Sequence, residues 1–192
     1  RWQVICEGEF TELTGEIFTP ENIHFVKDKP DGLHEFMIFA DPSNAKGNDY
    51  FPLTLTAMGI DGNCYLIDSF SYNRIEKVLI AEKIRQWQKD YPVQRTFIET
   101  NGEYGIKFYN DCMLAGINVD GWYSRKDKFE RIMANFDVIT NKLNVIDIVQ
   151  NREFIQQVYT FKMDCANDDN IDCLNNAIMA YILIYGKLKI LF

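Results

Sequence analysis

Phe36-Met37-Ile38-Phe39-Ala40-Asp41-Pro42-Ser43 is a continuous apolar run that breaks abruptly at an acid, a proline and a serine. Such a run reads as a buried strand entering a turn, with Asp41 at its C-terminal end. Downstream, Leu53 to Ile60 and Cys64 to Ser71 flank Asp61-Gly62-Asn63, the signature of two antiparallel strands joined by a tight hairpin. Ile75, Leu79, Ile84, Trp87 and Tyr91 then recur at helical spacing until Pro92, and Gln94 to Glu99 reads as a fourth strand. Strand, hairpin, helix, strand predicts a mixed α/β sheet. Further along, the pattern predicts a helix over Glu103 to Leu114, a strand over Asn118 to Tyr123, a helix over Lys126 to Ala134 and a hairpin around Asn141. Ile171, Leu174, Ile178, Tyr181 and Tyr185 draw the apolar stripe of a last helix, with Asn170 as its expected N-cap. No internal repeat is visible.

The 192 residues suit one well-buried domain, and 47% hydrophobic with 25% charged residues excludes a disordered or low-complexity chain. Residues 1–33 are rich in turn formers and read as an entry segment outside the core; without a starting Met, they suggest a piece of a longer polypeptide. No apolar run approaches the ~18 residues of a membrane span, and the N-terminus lacks a signal-peptide layout, so a soluble intracellular protein is expected. Cys6, Cys64, Cys112, Cys165 and Cys173 form no C-x-x-C pair and lie away from His24 and His34, which argues against zinc or a disulfide framework. The net charge of −8 argues against a surface that grips nucleic acid throughout, but not against acids that hold cations.

Acids recur at element ends. Asp41 ends the first strand, Glu99 ends the fourth, and Asp172 falls in the first turn of the last helix after Asp168 and Asp169. Hard divalent cations take such oxygen ligands, and two of them ~3.5–4 Å apart serve phosphodiester cleavage without any histidine or cysteine. Each acid also has a plainer explanation. Asp41 suits a turn, Asp172 complements a helix dipole, and Asp168-Asp169 suits a solvated loop. Glu99, following Thr96-Phe97-Ile98, is the hardest to explain away, because a partly buried carboxylate needs a partner. Asp68 is a further strand acid and shows that the pattern is not unique. With Asn170 as cap, Asp172 is the rigid candidate, while Asp168 and Asp169 are freer and better placed to act through water.

In order along the chain, Asp41-Pro42-Ser43 with Gly47-Asn48-Asp49-Tyr50, then Ile98-Glu99-Thr100-Asn101-Gly102, then Asp168-Asp169-Asn170-Ile171-Asp172-Cys173-Leu174 resembles the nuclease domain of the large terminase subunit of tailed bacteriophages, over about residues 34–185. The resemblance implies an RNase H-like, RuvC-like α/β fold: a mixed central sheet with antiparallel hairpin strands and flanking helices. It also implies cleavage of double-stranded DNA during genome packaging, with two Mg²⁺ or Mn²⁺ as cofactors. Asp41, Glu99 and Asp172 fall on the metal-binding catalytic acids of that family and Asp49 on the second acid of its first motif, with Asp168 and Asp169 as further metal candidates. The implied partners are double-stranded DNA, the ATPase domain of the same polypeptide, the portal and the small terminase subunit, in the cytoplasm of an infected bacterial host. This chain has no G-x-x-x-x-G-K-[ST] phosphate loop. It therefore looks like the nuclease half, residues 34–192, preceded by linker residues 1–33.

Arg125, Lys126, Lys128 and Arg131 outnumber Asp127 and Glu130 in one short stretch. This is either a solvated helix face or a set of DNA phosphate contacts, with Trp122-Tyr123 either lining a groove or packed in the core. Four other readings stand as alternatives: a RuvC-type Holliday-junction resolvase with the same order of acids, a proofreading exonuclease, whose Asp-x-Glu is replaced here by Asp41-Pro42-Ser43, a non-catalytic binding or assembly module of the same fold, and an actin-like nucleotide domain. The last is disfavoured by the lack of Gly-rich phosphate turns.

Overall fold

The computed structural model describes residues 2–4, 10–12, 17–42, 50–72, 77–125, 127–162 and 168–186. Its centre is β4 (His34–Ala40), the apolar run, which lies in a seven-stranded sheet between β5 (Phe51–Met58) and β7 (Val93–Glu99). β5 is antiparallel to β4 and to β6 (Cys64–Tyr72), while β7 is parallel to β4 and to β8 (Asp120–Trp122). On the other side of β6, β9 (Leu143–Ile146) and β3 (His24–Val26) add two parallel strands, giving the order β3-β9-β6-β5-β4-β7-β8. β1 (Trp2–Val4) and β2 (Phe10–Glu12) form a separate antiparallel pair.

Alternation along the strands divides the core into two layers. Phe36, Ile38 and Ala40 of β4 and Leu53, Leu55 and Ala57 of β5 face α1 (Lys77–Asp90) and α2 (Glu103–Leu114), which contribute Ile80, Ile84, Trp87, Phe108 and Cys112. Met37 and Phe39 face the opposite way, onto α6 (Asp169–Tyr185), which is supported by α3 (Lys128–Ala134), α4 (Phe136–Lys142) and α5 (Val149–Tyr159). On this second face β5 presents Thr54 and Thr56, whose hydroxyls lie 3.8 Å from the Cys173 Sγ and 3.2 Å from the Tyr181 Oη of α6. Eleven residues of α6, from Asn170 to Tyr181, are buried, so the helix is part of the core rather than a cover over it.

Three readings of the sequence are corrected. The stretch before Leu33 is not wholly outside the core: Phe18 and Ile23 are buried, the Phe18 ring packs on Phe136 and Phe161, and β3 pairs with β9. Its partners lie more than a hundred residues away in sequence, and no local pattern reports them. The hairpin expected around Asn141 is instead α4 running directly into β9, with Val138, Ile139 and Thr140 of that helix buried. Asn170 is not the N-cap of the last helix. It lies inside α6, buried, accepting from the Ser71 hydroxyl at 2.6 Å and donating to the Phe154 carbonyl at 3.0 Å, and Asp168 holds the cap position. Ile75 of the predicted first helix lies outside the described residues, as do Cys6 and Cys165, while Cys64, Cys112 and Cys173 are buried free thiols.

Candidate metal centre

Register explains why two of the acids meet. Ala40 pairs with Ile98 across the parallel β4–β7 ladder, so the next residues, Asp41 and Glu99, leave the sheet side by side. By the same alternation that turns Met37, Phe39 and Phe97 toward α6, both carboxylates point to the α6 face. There the first turn of α6 presents Asp172. The structure thus brings Asp41, Glu99 and Asp172 together, with one oxygen of each within 4.8 Å of the others. Glu99 and Asp172 are buried and Asp41 half-buried, at the floor of a cleft of about 270 Å³ lined also by Tyr104, Gly105, Lys128 and Asp169.

The cluster carries more negative charge than its surroundings offset. Burial first, then repulsion from Glu99 and Asp172, push the Asp41 carboxyl well above the usual carboxylate range. Burial pushes Asp172 up to about 6 even though Lys128 and Arg131 pull the other way. Both cations come from α3. Asp127 caps that helix by accepting from the Glu130 N–H at 3.2 Å, and residues three apart share a helix face. Arg131 grips Asp172 with its Nη2 at 2.6 and 2.7 Å from the two oxygens. The Lys128 ammonium stands 2.9 Å from Asp168, 3.3 Å from Asp169 and 3.6 Å from Asp172. Burial works against that ammonium, but Asp172, Asp41 and Asp168 outweigh it and hold Lys128 protonated, above the usual lysine range.

An all-oxygen donor set with surplus negative charge fits a hard divalent cation, and three convergent carboxylates are the ligands such an ion takes. Asp169 stands beside the triad, and its other oxygen accepts from the Tyr50 N–H at 3.1 Å. Asp49 and Lys126 lie outside the described residues. Arg125 is exposed and lines, with Arg131, Trp122, Tyr123 and Leu183, an apolar groove of about 310 Å³, while Lys128 and Arg131 line the acidic cleft. Trp122 packs edge-on against Phe39 and Phe97, which makes it largely a core residue, whereas Tyr123 is exposed. Asp68 is explained by packing: its carboxylate accepts from the Trp87 indole at 3.0 Å and Lys83 at 3.2 Å on the opposite side of the sheet.

Four further residues, to which sequence reasoning gave no such role, support the centre. Asn176, one turn beyond Asp172, reaches Glu99 Oε2 at 3.5 Å and accepts from the Ser124 hydroxyl at 3.3 Å. The i, i+4 spacing from Asp172 was the available signal. Asn101 and Ser124 exchange two hydrogen bonds of 2.8 Å, tying the loop after β7 to the loop after β8. At Gly105 a Cβ would stand 2.2 Å from the Glu99 carbonyl oxygen, so only glycine lets α2 lie against the end of β7. Gly105→Ala is expected to force that strand end aside, costing about 1–3 kcal/mol of stability. A variant with unchanged thermal unfolding and unchanged divalent-ion affinity would refute this account of the contact.

A mixed sheet with one antiparallel strand, helices on both faces and acids at adjacent strand ends defines an RNase H-like domain. The Terminase RNaseH-like domain family matches residues 38–181, and the chain belongs to that family. Among solved structures, the large terminase of a thermophilic bacteriophage is similar with a TM-score of 0.66 at 13% identity, over 85% of this chain and 44% of that one. The chain therefore spans less than half of that large terminase. The nuclease domain of the bacteriophage SPP1 large terminase with bound Mn gives a TM-score of 0.63 at 14% identity, over 83% of this chain and 96% of that one. The large terminase nuclease of thermophilic phage G20c with bound magnesium gives 0.60 at 13% identity, over 88% and 98%. No curated protein matches the chain in sequence.

Proposed function

We propose that this domain is a Mg²⁺- or Mn²⁺-dependent endonuclease that cuts double-stranded DNA during phage genome packaging. The convergence of Asp41, Glu99 and Asp172 within 4.8 Å carries the reading. Membership of the terminase RNase H-like family and the metal ions bound in the SPP1 and G20c nucleases support it. Two divalent ions, when bound by these acids, would supply Lewis acidity at the phosphodiester and ease deprotonation of the attacking water. The chain's own residues do the rest. Asp41 and Glu99 stand at the ends of paired strands, and Asp172 on a helix buried in the core, so each carboxylate is held by rigid backbone. Lys128 and Arg131 are the cations at the cleft that meet a DNA phosphate. Among the described residues no thiol suits nucleophilic attack, since burial pushes Cys64 up to about 12 and Cys173 well above the usual thiol range.

By the same family reading, the preceding ATPase domain, the portal and the small terminase subunit are the partners, and the cytoplasm of an infected bacterium is the setting. Among the described residues no helix is long and apolar enough to cross a membrane. The direct test is nicking of supercoiled plasmid in Mg²⁺ or Mn²⁺ against EDTA. Cleavage that persists in EDTA, or that never appears with any divalent ion in the chain joined to its motor, refutes the proposal.

Asp172 and Asp168 are separated by the same assay. Asp172 is buried and converges with the other two acids, whereas Asp168 sits at the helix cap and binds Lys128. Asp172→Asn should lose cleavage and weaken Mn²⁺ binding in calorimetry, while Asp168→Asn should lose about tenfold or less, as expected of a residue acting through Lys128. The reverse ranking would move the third ligand to the loop before α6.

A further inference from the structure

Arg131 competes for a carboxylate that the proposed chemistry offers to a metal ion. Its Nη2 donates to both oxygens of Asp172, at 2.6 and 2.7 Å, which occupies a lone pair on each and sets a positive charge against any cation the carboxylate would hold. Lys128 is placed differently. It retains Asp168 and Asp169 as partners whatever Asp172 does. Arg131 also forms part of the wall of two cavities, the acidic cleft of about 270 Å³ and the apolar groove of about 310 Å³ beside it, so its side chain has space on either side in which to turn.

We propose that Arg131 is a transferable cation: it neutralises Asp172 in the ion-free protein and passes to a phosphodiester oxygen of DNA once the carboxylates are engaged by divalent ions. The inference rests on the nuclease reading above and adds an order of events to it. Charge balance gives the direction. Fully ionised, Asp41, Glu99, Asp168, Asp169 and Asp172 set five negative charges against Lys128 and Arg131. Two divalent ions convert that surplus of three negative charges into one positive charge, which a single phosphodiester neutralises. A guanidinium suits the transfer because its planar fork fits carboxylate and phosphate equally well. The consequence is linkage: ion uptake and DNA binding each promote the other through one side chain.

The experiment measures binding of a short fluorescent DNA duplex to wild type and Arg131→Gln, once in EDTA and once in Ca²⁺. Transfer predicts equal affinities in EDTA, within about twofold, and a loss of roughly tenfold for the variant in Ca²⁺. Arg131→Lys should recover part of that loss, since it keeps the charge but not the fork. An equal loss in both conditions would make Arg131 a fixed DNA contact, and no loss in either would make it purely structural; both results overturn the proposal. Mn²⁺ calorimetry on Arg131→Gln supplies the second check. Uptake at least as tight as wild type shows an intact cluster freed of a competitor, and weaker uptake shows that Arg131 positions Asp172 rather than yielding it. Wild-type protein that takes up no Mn²⁺ overturns the metal reading itself, an outcome distinct from a failure of the transfer alone.

Discussion

Asp41→Asn and Glu99→Gln are each expected to lower plasmid cleavage in Mn²⁺ by about 10²–10³-fold or more, with circular dichroism remaining that of the wild type. The magnitude is that of removing one group that stabilises charge in the transition state. Asp41→Asn has a second expected effect, opposite in sign. The Asp41 carboxyl is pushed well above the usual range by burial and by Glu99 and Asp172, so its ionised form strains the folded state and not the unfolded one. A carboxylate raised in this way contributes stability that is complete below its unfolded pKa and is lost as pH rises through the folded value. The asparagine variant escapes that loss. At pH 8 without metal it should unfold above wild type by about 2–4 °C, the shift from roughly 1 kcal/mol in a domain of this size, and the difference should vanish near pH 3. A variant that cleaves at the wild-type rate ends the assignment of Asp41. One that is inactive and also less stable than wild type at pH 8 would show that the carboxylate serves the fold.

Divalent ions should stabilise the protein, and more so at higher pH. At a hundredfold excess over the dissociation constant, an ion that binds only the folded state adds ~2.7 kcal/mol. For a chain of this length that is a rise of roughly 5–11 °C in melting temperature. Asp172 is pushed up to about 6, so ion uptake below that pH must displace its proton and apparent affinity should fall by up to about tenfold per unit. Differential scanning fluorimetry with Mn²⁺ at pH 5 and 7.5 checks both statements. A gain of the same size at both values would mean that Asp172 is not a ligand.

Much of the centre of the fold was legible because its signals are local. The run from Phe36 to Ala40, the Asp61-Gly62-Asn63 turn and the stop at Pro92 each declare themselves within a few residues, and the structure places β4, β5, β6, α1 and β7 accordingly. The α2 helix runs from Glu103 to Leu114, the span its sequence predicts. Family membership accords with the ordered acidic motifs, and the three acids do converge. What stayed hidden depends on contacts between distant residues. Phe18 is a core residue only because Phe136 and Phe161 come to meet it, and seven residues of α4 are too few to establish a period against the turn suggested by Asn141. Asn170 looked like a cap because that residue type favours caps. Its amide is instead used by Ser71 and Phe154, partners that no reading of residues 168–172 contains. Lys128 and Arg131 were visible as charges, but their direction, inward onto the acids, follows from α3 packing beside α6.

The place of α6 in chain order has a consequence for how the protein is made. Asp41 and Glu99 belong to strands synthesised early, whereas Asp172 arrives on the last described helix, which also fills the apolar face behind them. A ribosome translating this domain therefore carries an incomplete cluster until that helix leaves the exit tunnel and docks. Until then the cluster lacks one of its three convergent carboxylates. Completion of the acidic cluster and completion of the core therefore arrive in the same event.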